Sequence, residues 1–283
     1  MRTLSAPSST TCSPKRAARL PPRRLHRPKP RKPKQKAKVK PVNKLLKIAA
    51  IAGAVVFAAP ALAQDEAAAP AGNPGAEREG DWTLGEADAP LLMIEYASVA
   101  CPHCAHWYEE NWAMLTDEFI STGEVRFVLR EMLTGEPRLA MAGFMTARCA
   151  DPELYFDAIH LLFEEQRAIF EAARDGGPRP QYLQIAAALG MDEAAFDACL
   201  ENQDVLQAVL AQHEQAAEDG VNGTPSFYFN GVLVDTGAAP DGQGYVWYAD
   251  GEPLRIDGEV IPTNGGADSF RRIILHYLNQ AGE

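Results

Sequence analysis

Cys101, Pro102, His103 and Cys104 form a CPHC tetrapeptide at the point where an apolar run meets a helix start. That placement has a chemical use. Cys101 falls at the helix N-cap, beside unpaired backbone N–H groups and the positive end of the helix dipole. A thiolate there is stabilised, and its pKa falls. A protonated His103 adds positive charge nearby. Cys104 is one turn further on, close enough to close a small disulfide ring. A stabilised Cys101 thiolate is a good leaving group, which makes that disulfide oxidising. Two other readings use the same pair: an inert structural disulfide, or half of a zinc site completed by His106 and Cys149.

The flanking sequence supplies the elements that must hold this motif. Leu91–Ala97, LLMIEYA, reads as a buried strand. Pro102 suits the first helical position, and the helix it opens is expected to reach about Ser121. Glu124–Glu131 alternates Val125, Phe127 and Leu129 against charged neighbours, which predicts a second strand. Helical segments follow at Arg138–Cys149, from Asp151-Pro152 to about Gln166, at Gln181–Leu189, from Asp192 to Leu200 and at Asp204–Asp219. Pro225–Asn230 returns to strand. Residues 235–252 are rich in Gly, Asp and Pro and read as a loop or hairpin insertion around Tyr245–Tyr248. Leu254–Ile261 predicts a further strand, and Ser269–Asn279 an amphipathic helix. The order predicts an α/β sheet interrupted by an all-helical insertion.

Charge divides the chain. Residues 1–47 carry 16 of the 27 Lys and Arg and no acid, whereas residues 64–283 hold 11 Arg against 38 Asp and Glu, a net −27. A chain of that charge is a poor binder of nucleic acid or anionic membranes. Ile48–Ala63 is uncharged, follows Lys44 and Lys47, and ends Ala61-Leu62-Ala63. This is the pattern of a signal peptide cleaved after Ala63, and it is short for a membrane span of roughly 20 residues. The basic stretch ahead of it is longer than such leaders need, which suggests a later translation start, near Val39 or Val42. Residues 64–80, rich in Ala, Pro, Gly and acid, read as a flexible tether. Cys12 lies in the leader; Cys101, Cys104, Cys149 and Cys199 remain, an even number that suggests disulfides in an exported protein.

TLGEADAPLLMIEYASVACPHCAHW (residues 83–107) and GVNGTPSFYFNG (residues 220–231) resemble the two signatures of DsbA-type thiol–disulfide oxidoreductases. The resemblance implies a thioredoxin fold with an inserted all-helical domain: its first part at 81–136, the insertion at 137–220 and its second part at 221–283. It implies that Thr224-Pro225 is a cis-proline loop facing the cysteines and pairing with the substrate backbone; cis bonds are largely confined to X-Pro. It places Glu95, six residues before Cys101, as a buried acid beneath the disulfide, able to move the proton of Cys104. It suggests a structural Cys149–Cys199 disulfide, against the reading of two buried thiols. With the signal-peptide pattern, the expectation is a periplasmic enzyme that oxidises cysteine-containing exported proteins; it needs no metal or organic cofactor, because the cysteine pair carries the electrons, and the resemblance implies re-oxidation by a DsbB-like membrane partner. A monomer is expected, because residues 64–80 are too short for an isomerase's dimerisation domain. Thr before the cis proline also occurs in relatives that reduce or isomerise, so that direction stays open, as does a non-catalytic binding or chaperone module. Trp107 and Tyr108 either line a peptide groove or pack the first helical turns. His106, His160, His213 and His276 show no shared spacing.

Overall fold

A computed structural model describes residues 73–282. The leader, the signal-peptide pattern, Cys12 and residues 64–72 of the tether lie outside the described residues. Among the described residues, no helix is long and apolar enough to cross a membrane.

The apolar runs build one twisted sheet. β1 (Trp82–Leu84), β2 (Leu91–Ala97) and β3 (Val125–Glu131) come from the first third of the described chain. β4 (Ser226–Phe229), β5 (Val232–Ala238), β6 (Tyr245–Ala249) and β7 (Glu252–Pro253) come from the last. Their spatial order is β1-β3-β2-β4-β5-β6-β7. β2 lies parallel to β3 and antiparallel to β4, so the two halves of the sequence meet along β2. A parallel pair needs a crossover, and α1 (Pro102–Leu115), prolonged by a π-turn at Thr116–Ile120, provides it.

The period of two then decides which residues see which helices. Leu91, Met93 and Ala97 of β2 join Phe127, Leu129, Phe227 and Phe229 in the main core, with α1 and with Phe270, Ile273 and Tyr277 of α8 (Gly266–Ala281). Ile94 and Tyr96 point the other way, into a smaller cluster with Val128, Met132, Ala216 and Val221. Glu95 belongs to the first set, beneath α1, between Leu129 on β3 and Phe227 on β4.

Between β3 and β4 stands the helical block: α2 (Pro137–Cys149), α3 (Tyr155–Glu164), α4 (Gln166–Asp175), α5 (Arg179–Ala188), α6 (Glu193–Glu201) and α7 (Gln203–Glu218). Asp192 and Asn202 cap α6 and α7 through their side chains. Cys149 and Cys199 are joined by a disulfide that ties the end of α2 to α6. α7 also covers the second face of the sheet through Ala216.

Three expectations change in the structure. The helix from Asp151-Pro152 is expected to end at about Gln166, with none read between there and Gln181, yet the chain only bends at Glu165 (φ −88°, ψ 0°) and starts a new helix, α4, that buries Gln166 and Ile169. Leu254–Ile261 is not one strand but a small hairpin of β8 (Arg255–Ile256) and β9 (Glu259–Val260), because Asp257 and Gly258 both take positive φ. Of the two readings for residues 235–252, loop or hairpin, the hairpin is the one formed, β5 to β6, and it widens the sheet.

The last change concerns the tether, whose residues 73–80 are pinned. Arg130, 1% exposed, donates to Asp81 (3.1 and 2.8 Å), to the carbonyls of Pro74 and Ala76, and to the Tyr96 hydroxyl (2.6 Å each). Tyr96 in turn donates to Asp219 (2.7 Å), which also binds Arg78. A buried guanidinium requires such a complete set of acceptors. Composition alone could not show that the Ala/Pro/Gly-rich stretch supplies two of them as backbone carbonyls.

Candidate active site

The residues around Cys101 are held before any chemistry is considered. The 0%-exposed Ser98 donates its hydroxyl to the Thr134 carbonyl (2.9 Å) and accepts from the Ala100 N–H (3.2 Å). Its carbonyl accepts the Cys101 N–H at 2.9 Å. Gln166, at the start of α4, donates to the carbonyls of Val99 (2.9 Å) and Cys101 (3.1 Å). Gly135 takes φ +74° directly against Ala100, where a Cβ would sit 2.0 Å from the carbonyl oxygen. The loop between β2 and α1 is therefore clamped by β2, by the chain after β3 and by the helical block.

Cys101 occupies the N-cap position of α1 with extended backbone (φ −99°, ψ 118°), and Pro102 follows in the first turn. Its sulfur is 3.3 Å from the carbonyl of Thr224, to which the thiol donates. Thr224-Pro225 is a cis peptide, and the Thr224 hydroxyl is 2.6 Å from that of Thr134. The motif and the cis-proline loop, 123 residues apart in sequence, thus face one another.

Both motif cysteines are thiols here, and their environments differ. Cys101 is brought down from 9.0 to about 5. The largest cause is a hydrogen bond from Cys104, opposed by burial, with further help from the Thr224 side chain and from the backbone N–H groups of Cys104 and His103. The His103 side chain is exposed, and its backbone is what reaches the sulfur. Cys104 is fully buried, and its pKa is pushed well up, first by burial and then by Cys101. Glu95 is also fully buried, and burial raises its carboxyl well above the usual range; the Tyr108 hydroxyl pulls the other way, and Cys101 adds to the rise. Neither oxygen of Glu95 has a hydrogen-bond partner.

Beside the sulfur lies an open groove of about 420 Å³, lined by His103, Trp107, Pro225, Tyr245, Trp247 and Phe270 among others. Trp107 both lines it and packs edge-on against Phe270 at 5.0 Å. Tyr108 turns inward and stacks on Phe163 at 4.1 Å. The β5–β6 hairpin, which sequence alone could not place, supplies Tyr245 and Trp247 to this wall. The zinc arrangement is not assembled: Cys149 is spent in its disulfide with Cys199, and among the described residues no group of three or more His, Cys, Asp or Glu could hold a metal. Gln166 and Thr134 were missed by sequence reasoning, since each acts through backbone or hydroxyl contacts that no local pattern announces.

The chain is similar to known proteins. The family model described as "Thioredoxin" matches residues 77–243, more than half of the chain. A Rickettsia typhi protein named "Putative protein-disulfide oxidoreductase" is 27% identical over 156 residues, covering 55% of this chain and 56% of that one. Disulfide bond formation protein D of Bacillus subtilis is 30% identical over 90 residues, 31% of this chain and 40% of that one. This chain therefore spans about half the length of the curated relatives it matches. Among solved structures, alpha-DsbA1 of Wolbachia pipientis superposes with a TM-score of 0.54 at 20% identity, covering 72% of this chain and 94% of that one. A protein-disulfide isomerase of Novosphingobium aromaticivorans gives 0.54 at 21%, covering 71% and 98%. With the cysteine pair, the cis proline and the helical insertion in place, the chain belongs to the thioredoxin family, and its fold is that of the DsbA-like structures it superposes on.

Proposed function

We propose that this protein is a thiol–disulfide oxidoreductase that introduces disulfides into exported proteins. One observation carries the reading: the two cysteines of one motif are driven apart, Cys101 towards the thiolate and Cys104 towards the buried thiol. In the oxidised enzyme a substrate thiolate attacks the Cys101 sulfur and the Cys101–Cys104 bond breaks. Cys104 leaves with the electron pair and takes a proton from Glu95. A second substrate thiolate then attacks the substrate sulfur of the mixed disulfide and displaces Cys101 as its stabilised thiolate. The substrate has lost two electrons and the Cys101–Cys104 pair has gained them. Thr224-Pro225 faces the sulfur as the place where substrate backbone pairs, and the adjoining aromatic groove takes the side chains.

The direction follows from leaving-group stability. A thiolate that is stable at neutral pH makes the reduced form the lower in energy, so the disulfide oxidises its partners. Equilibration with glutathione tests this. A potential near about −120 mV supports the oxidase, and one near about −270 mV, as in thioredoxin, hands the reading to a reductase or isomerase. Replacing Cys104 by Ser is expected to trap substrate on Cys101, and Cys101→Ser to abolish turnover. Retained activity in Cys101→Ser would instead favour a binding module.

The same reading places the protein in the periplasm. The Cys149–Cys199 disulfide suits an oxidising compartment, and the signal-peptide pattern supplies the route. A mature chain beginning at Gln64 in the periplasmic fraction is the expected result; an intact leader on a cytoplasmic protein would overturn it. A DsbB-like membrane partner would accept the electrons, and the enzyme would act as a monomer.

A further inference from the structure

Three buried polar atoms lie together near Cys104 without a hydrogen-bond partner: both carboxyl oxygens of Glu95 and the hydroxyl of Tyr108. Buried polar groups are nearly always matched, so three orphans in one place ask for a reason. Tyr108 follows Cys104 by four residues on α1, which puts both on the helix face above the strand bearing Glu95. Glu95 and Cys104 are wholly buried, and Tyr108 is 2% exposed.

The Tyr108 ring has little freedom to leave. It stacks on Trp112 at 4.9 Å and on Phe163 at 4.1 Å, with the edge of Trp107 at 5.1 Å. Its hydroxyl is therefore kept within reach of the carboxyl, and each group acts on the other electrostatically. The strands on either side of Glu95 present only Leu129 and Phe227 at its level. The groups of α1 that bear on Glu95 are Cys101, Cys104 and Tyr108; among the described residues no cation is found to act on it. From α3, Tyr155 acts on Tyr108. The outer side of Tyr108 lines a groove between α1 and the α3–α4 corner, where Glu109, His160, Glu164 and Arg167 stand.

No bond is closed between them in this structure, and a neutral carboxyl is only an ordinary acceptor. Once the carboxyl loses its proton it becomes a charged acceptor, and a bond from the hydroxyl is about twice as strong. We propose that Tyr108 is a positioning residue for Glu95: its hydroxyl donates a hydrogen bond to the carboxylate and thereby sets the pH at which Glu95 accepts the Cys104 proton. The inference rests on the acid–base role given to Glu95 above. In the step concerned, Cys104 passes its proton to the Glu95 carboxylate and attacks the Cys101 sulfur of a mixed disulfide. The former partner leaves as a thiolate, and the Cys101–Cys104 bond forms.

The test follows glutathione release from the mixed disulfide on Cys101 by stopped flow, across about pH 5 to about pH 9. Tyr108→Phe keeps the stacked ring and deletes the hydroxyl. With the donor gone the carboxylate is harder to form, so the midpoint of the pH limb should rise by about one unit, with the plateau rate unchanged. Glu95→Gln should remove that limb, and should leave nothing for Tyr108→Phe to shift in the double variant. A Tyr108→Phe profile that superposes on the wild type while Glu95→Gln removes the limb would overturn the role of Tyr108 alone. A limb that survives Glu95→Gln would overturn the Glu95 reading and this inference together. Should Tyr108→Phe fail to fold, by near-ultraviolet circular dichroism, a fluorotyrosine placed at 108 decides the matter. As a stronger donor of nearly the same shape it must lower the midpoint, and an unmoved midpoint counts against the proposal.

Discussion

Cys101 and Cys104 are the same residue type three positions apart, yet their thiols are pushed in opposite directions. The cause is position on one helix: Cys101 accepts first from the Cys104 thiol and then from the N–H groups at the start of α1, and Cys104 is sealed beneath the first turn. A pH dependence of stability follows. Cys101 is depressed from 9.0 to about 5, so its thiolate stabilises the folded, reduced protein fully above about pH 9. That contribution shrinks as the pH falls and is gone below about pH 5. The oxidised protein has no such thiolate. Melting temperatures of the two redox forms are therefore expected to converge from pH 7 to pH 5, with the reduced form losing on the order of 2–3 kcal/mol relative to the oxidised. A gap that stays constant would mean that the Cys101 thiolate is not stabilised.

The loop between β2 and α1 shows how elements, rather than single residues, hold the motif. Gly135, outside the motif, presses on Ala100 at a positive φ that a side chain resists. Gly135→Ala is expected to cost about 1–3 kcal/mol from backbone strain alone, with more from the collision, and to slow thiol exchange by shifting Cys101. Unchanged melting and exchange rates would show that the clamp is dispensable. In the helical block, the disulfide closes a loop of 50 residues between α2 and α6. Replacing both Cys149 and Cys199 with Ala should lower stability by about 4 kcal/mol in the loop-entropy account and leave exchange at Cys101 intact below the melting point. Loss of exchange in the folded variant would tie this bridge to the chemistry. Strands and most helices were readable because their periodicity and caps are local signals. α4 and the β8–β9 hairpin were not, since each is short and depends on what it packs against.

For the whole molecule the largest unexplained quantity is charge. Residues 64–283 carry a net −27. Such a field favours encounter with basic polypeptides, an effect that salt screens over about 10 Å at 0.1 M. Oxidation of basic test peptides should therefore outpace that of acidic ones, with the ratio falling as salt rises. Equal rates at low salt would leave the charge with no part in substrate choice. The charge also has structural uses at particular places. Asp81 and Asp219 hold Arg130, Arg78 and Tyr96 and so fasten residues 73–81 across the second face of the sheet.

What the sequence determined by itself was the chemistry and its local frame: a CPHC pair at a helix N-cap, a Thr-Pro that permits a cis bond, a strand rich enough in apolar residues to bury Glu95, and the alternation of strand and helix around them. These depend on residue type and on neighbours a few positions away. The tertiary structure alone decided the rest. It set Thr224 opposite Cys101, chose Gln166 to hold the Cys101 carbonyl, brought Tyr108 to Glu95, turned residues 235–252 into the groove wall, and made a tether into ligands for a buried arginine. Each of these joins groups far apart in the chain, and the energy that selects them, desolvation and the matching of buried polar atoms, exists only once the core has closed.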